Sequence, residues 1–167
     1  MKKFFGDNLG SLGIAMAIYA GIWMILCDKF GLISFAGFAG CTSYFASGEK
    51  NLAGMKTSAF ANVSGIFWAM MSILAGTYFG FPYSGAVYCA IISYIIIKQA
   101  EFKCFKFIPG AYIGCFITFA CDGAWINVII SMLIGILMAY LTEITGNWFQ
   151  TMQMPCSVPG QMEDSNI

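Results

Sequence analysis

The sequence predicts an all-α integral membrane protein, with six short transmembrane helices built as two inverted three-helix repeats. Three observations predict it. Of 167 residues, 59% are apolar and only 10% are charged, where a soluble domain carries about 25% charged. The charges also cluster, and residues 31–47 and 57–97 contain none. Finally, one pattern of small and aromatic residues occurs twice along the chain.

Six apolar segments follow in order. The first, 9–27, is closed by Asp28-Lys29, and the second, 31–47, by Gly48-Glu49-Lys50. The third, 57–79, ends at Gly80-Phe81-Pro82, and the fourth, 83–97, at Lys98. The fifth, 107–121, ends at Asp122-Gly123; the sixth, 125–141, precedes Glu143 and Gly146. A membrane core wants about 20 helical residues. Segments two, four and five fall short of that, so two and five either span with interfacial help or are re-entrant. The paired lysines before the first segment resemble a signal peptide, but that segment is long enough to span and further spans follow. The expected division is a cytoplasmic N-terminus over 1–8, a membrane domain over 9–145 and a flexible cytoplasmic tail over 146–167. Within the membrane domain, the repeats cover about 9–79 and 83–145.

Lysine placement gives the orientation. With six spans, Lys2, Lys3, Lys50, Lys56, Lys98, Lys103 and Lys106 share one side, and Lys29 stands alone on the other. Positive residues favour the cytoplasmic side, which puts both termini in the cytoplasm.

The repeat is read from residues. Ala36-Gly37-Phe38-Ala39-Gly40-Cys41 aligns with Gly110-Ala111-Tyr112-Ile113-Gly114-Cys115 at an offset of 74. Ala61, Gly65 and Ala69 align with Ser131, Gly135 and Ala139 at an offset of 70. Small residues every fourth position let helix backbones approach closely in lipid. Ala36, Gly40, Ala61, Gly65, Gly110, Gly114, Ser131 and Gly135 are therefore the expected packing positions, within the protomer or between subunits of a homo-oligomer. Three spans per repeat is an odd number, so the second copy enters from the opposite side. Such inverted repeats recur in transporters and channels, with a solute site near the midplane.

The runs SFAGFAGCTSYFA and FIPGAYIGCFITFA, with VSGIFWAM between them, resemble a bacterial inner-membrane family, domain of unknown function 1097. The resemblance covers roughly residues 10–145. It implies a small multi-pass protein of the bacterial inner membrane and brings no catalytic or binding residues.

Composition excludes much chemistry. Histidine is absent, and all eight basic residues are lysine, which removes the commonest general base, metal ligand and bidentate anion clamp. Net charge is zero, so nucleic acid is not an expected partner. The seven cysteines form no C-x-x-C pair and mostly lie in apolar runs, where cysteine acts as a small hydrophobe. No nucleophile–base set suggests an enzyme, and no cofactor or metal is expected. Met152, Met154 and Cys156 could suit copper(I), but with no histidine a Met-rich tail is the simpler account.

Asp28, Glu49, Glu101, Asp122 and Glu143 all fall at segment ends, leaving no carboxylate deep in a span for ion coupling. Neutral groups remain. Thr42, Ser43, Tyr44, Asn62, Ser64, Trp68, Thr118 and Phe119, with Asp122 at a mouth, are the candidate solute-pathway residues. Hydroxyls, amides and rings of this kind select by pore width and hydrogen bonding. The expected function is a passive channel or facilitator for a small neutral or weakly basic solute such as urea, ammonia or a short amide. A secondary transporter of a small organic ion and a non-transport membrane scaffold are the alternatives. Trp23, Trp125 and Trp148, near segment ends, are expected as interfacial anchors.

Overall fold

The computed structural model describes residues 8–153. Among these the fold is all-α, with six helices: α1 (Asn8–Phe30), α2 (Ser34–Ala46), α3 (Asn51–Tyr78), α4 (Ser84–Gln99), α5 (Ile108–Ala120) and α6 (Trp125–Gln153), plus a 3-10 turn at Lys103–Phe105. The predicted cytoplasmic N-terminus up to residue 7, most of the predicted tail and the Cys156 motif lie outside the described residues.

The helices are not uniformly short. With 23, 28 and 29 residues, α1, α3 and α6 are long and apolar enough to cross a bilayer by length and composition. By contrast α2 and α5 have 13 residues each, roughly 20 Å at the helical rise, and α4 has 16. Breakers set these limits. Gly31 and Gly48 adopt positive φ after α1 and α2, a region that side chains other than glycine rarely enter. Pro109 stands at the start of α5, where a missing N–H costs nothing. Helix α6 continues past Gly146, where the sequence puts the start of the tail, because the backbone of α1 at Leu12 covers Gly146.

Helix α2 packs chiefly on α6, and α3 chiefly on α5; α1 lies on α6 and α4 on α3. Two close crossings hold this together. A Cβ on Gly40 would overlap the Met132 carbonyl, and one on Gly135 would overlap that of Gly37. At the other crossing, a Cβ on Gly114 would overlap the Asn62 carbonyl, and one on Gly65 that of Ala111. Under offsets of 74 and 70 residues, each contact of one crossing maps onto a contact of the other. The small residues of the sequence pattern therefore bring backbones together inside the protomer. Ala36, Ala61 and Ser131 are fully buried there, and Gly110 leaves no room for a Cβ beside Phe107 and Ala61.

The helix ends alternate. Tyr19 and Thr145 share a hydrogen bond of 2.9 Å, so the first half of α1 lies beside the last third of α6. The α1–α2 turn meets the opposite end of α6, where the Ile33 N–H donates to the Ser131 hydroxyl at 3.0 Å. This bond satisfies a donor that the start of α2 would otherwise leave without a helical acceptor. Trp23 does not sit at a membrane surface as expected. It is 1% exposed, lies against Gly37 and donates its indole N–H to the Ser34 carbonyl at 3.0 Å. The lack of a side chain at Gly37 makes the space for its ring. Trp125 and Trp148 are exposed near the two ends of α6.

The outer surface is apolar. Ile18, Ile22 and Ile25 of α1, Phe60, Phe67 and Leu74 of α3, and Ile130, Leu133, Leu137 and Leu141 of α6 all face outward. So much exposed apolar surface exceeds what a soluble monomer tolerates and matches a lipid environment. Helix α4 buries only Ile92 and Ile96.

Candidate functional site

One set of buried polar groups gathers where α2, α3 and α5 meet. Ser43 and Asn62 are almost completely buried, and the Ser43 hydroxyl donates to Asn62 Oδ1 at 2.8 Å. Ser58 donates to the Ser43 carbonyl at 3.2 Å. Thr118 is fully buried and returns its hydroxyl to the Gly114 carbonyl at 2.8 Å, one turn back on α5. Gly114 in turn lies against the backbone of Asn62. Asn62 Nδ2 has no hydrogen-bond partner, although the residue is only 1% exposed. A buried donor left unmade costs about 1–3 kcal/mol. A bound acceptor would remove that cost.

A second polar group joins α3 to α4. Gln99 Oε1 accepts from Ser64 Oγ at 2.6 Å and from Trp68 Nε1 at 3.0 Å. An indole N–H only donates, so it fixes which end of the Gln99 carboxamide faces α3. Gln99 Nε2 is then buried without a partner. Gln99 is missing from the candidates drawn from the sequence because it follows Lys98 at the predicted end of segment four.

The third group lies at the end of the bundle where the α2–α3 loop meets α6. The Tyr44 hydroxyl donates to Glu143 Oε2, and the Asn51 N–H donates to the same oxygen at 3.1 Å. A cleft of about 300 Å³ opens beside them, lined in part by Leu12, Phe45, Lys50 and Asn147. Next to it the Lys106 ammonium pairs with Glu49 at 2.6 Å, and Thr57 donates to Glu49 at 2.7 Å. Lys106 first, and then Thr57, hold the Glu49 carboxyl below its usual range. Glu143 is thus held by a phenol and a backbone N–H.

Three candidates stand apart from these groups. Thr42 is exposed on α2, its hydroxyl bonded to the Phe38 carbonyl at 2.9 Å. Phe119 is 42% exposed, and Asp122 is exposed at a positive-φ turn after α5. On their helices, Thr42 and Phe119 each lie about 100° round from a buried neighbour. Ser43 and Thr118 turn inward, and the step to Thr42 and Phe119 leads to the outer face of each helix.

The profile of the family described as Protein of unknown function (DUF1097) matches residues 13–147. The chain belongs to that family. The Inner membrane protein YcdZ of Escherichia coli K12 is 35% identical over 139 residues, covering 83% of this chain and 85% of the relative. Its Salmonella typhimurium counterpart is 34% identical over 140 residues, covering 83% and 87%. The Uncharacterized protein YahC of E. coli is 28% identical over 155 residues, covering 84% and 92%. No solved structure matches the chain. The DUF1097 match runs from the first turns of α1 to Asn147 and so takes in both glycine crossings and all three polar groups. The names of the two YcdZ relatives fit the apolar outer surface: this is a protein of a membrane family.

Proposed function

We propose that this DUF1097 member is a passive facilitator for a small neutral, hydrogen-bond-accepting solute, with urea and short amides as the class. The observation that carries this reading is the Asn62 carboxamide. Its oxygen is held by Ser43 and its N–H group is buried without a partner, beside Gly114, where one half of the chain meets the other. A carbonyl oxygen is the natural acceptor for that donor. Gln99 offers a second free amide N–H of the same kind.

In this reading all six helices cross the membrane as two inverted three-helix repeats, with both termini cytoplasmic. The recurrence of the crossings at two offsets supports the repeat, and the lysine distribution supports the orientation. The short α2 packs on α6 and α3, and the short α5 on α3 and α2, so protein rather than lipid covers one side of each. The apolar outer face accommodates a homo-oligomer.

One observation favours a second reading, a coupled transporter of a small organic ion. Glu143 is a carboxylate held at a cleft mouth by Tyr44 and Asn51, a position from which it could exchange a proton or bind a cation. Solute entry into proteoliposomes without any ion gradient separates the two. A passive facilitator gives entry that Glu143→Gln leaves intact. A coupled transporter gives entry only with a gradient and loses it in that variant.

A further inference from the structure

A groove of about 540 Å³ runs along the outside of the bundle between α3 and α6. Met55, Ala59 and Phe60 of α3 and Leu133 and Leu137 of α6 form its walls, and Lys56 stands at one end. Lys56 is exposed and belongs to neither ion pair of the described residues. No carboxylate lines the groove. From Met55 to Val63, the deepest α3 residue on its wall, the distance is roughly 12 Å at the helical rise.

We propose that this groove is a seat for one anionic phospholipid, with an acyl chain lying along Ala59, Val63 and Leu133 and the phosphate on the Lys56 ammonium. Several features select this occupant. An apolar slot about 12 Å long, half the thickness of a membrane core or a little less, suits a chain from one leaflet. A lysine at its end places a strongly hydrated cation at headgroup level while the lysine stem stays on apolar surface. The bundle end concerned also carries Lys50, which belongs to neither ion pair of the described residues and adds to the attraction for anionic headgroups. A second copy of the chain fits less well. A two-fold contact through the same patch would set one Lys56 against the other, with no acid on the groove wall to separate them.

The proposal does not depend on the solute reading. The test is native mass spectrometry of the full chain, delipidated in detergent and titrated with phosphatidylglycerol or phosphatidylcholine. The wild type should retain phosphatidylglycerol in preference. Lys56→Gln should lower that preference about five-fold, as expected for one interfacial lysine, while leaving the helix content unchanged. Ala59→Trp, which fills the slot, should lower retention of both lipids. An unchanged lipid preference in Lys56→Gln would overturn the proposal. So would a wild-type dimer that Ala59→Trp dissociates, because the groove would then hold a second copy.

Discussion

Gly114 of α5 lies so close to Asn62 of α3 that a single added methyl group would overlap the Asn62 carbonyl oxygen. The same relationship holds between Gly40 and Met132, 74 and 70 residues away. In both places a glycine lets a short helix rest directly on the backbone of a long one. In the first, the contact also fixes the level at which the Asn62 carboxamide sits.

The crossings should tolerate no side chain. Gly114→Leu or Gly65→Leu should abolish the folded protomer, since the atom struck is backbone and cannot rotate away. Gly76→Ala is the control. Gly76 is on α3 with open space around it, and alanine there should stabilise by about 1 kcal/mol. Thermal unfolding in detergent checks both, and a normally stable Gly65→Leu would refute the crossing.

Ser131→Ala should cost about 1 kcal/mol by leaving the Ile33 N–H without its acceptor at the half-buried start of α2. The equivalent position in the first half is Ala61, which has no hydroxyl to lose. Denaturant unfolding of Ser131→Ala against wild type measures the loss, and equal midpoints would show that the hydroxyl satisfies nothing.

The link between the α2–α3 and α4–α5 loops should depend on pH. Glu49 has its carboxyl pKa lowered in the folded protein, chiefly by Lys106. A lowered pKa contributes stability above the unfolded value and loses it as pH falls through the folded one. Wild type should therefore melt above Lys106→Gln at neutral pH, and the gap should close below the carboxylate range. A gap that persists in acid would mean that Lys106 acts through packing.

Six spans require the ends of α2, α4 and α6 to share one side. Reporters fused after Ile167 and inserted after Lys50 should both read cytoplasmic, and one inserted after Gly31 should read periplasmic. A periplasmic reading after Ile167 would break the six-span topology.

Much of the fold is legible in the sequence because apolar segments and their breakers are local. Gly31, Gly48 and Pro82 mark helix limits wherever they fall. The direction in which a residue faces is less legible. A lipid-facing surface is as apolar as the core, so hydropathy does not separate Thr42, which faces out, from Ser43, which faces in. The length of α6 beyond Gly146 depends on Leu12, more than 130 residues earlier. Trp23 looks like an anchor until Gly37 is placed beside it. Of the site, Ser43, Asn62, Ser64, Trp68 and Thr118 are recognisable as neutral polar residues inside apolar segments. Gln99 and Glu143 sit beside segment ends, and only packing brings them to their partners.

The free amide N–H of Asn62 is the group that a solute carbonyl would meet. The most direct test is stopped-flow light scattering of proteoliposomes with urea, comparing wild type with Asn62→Leu and empty vesicles, without any ion gradient. Wild-type vesicles should take up urea faster than empty ones, and folded Asn62→Leu should fall to the empty-vesicle rate. Equal rates for wild-type and empty vesicles across urea and short amides would contradict passive entry and leave the coupled transporter or a membrane scaffold.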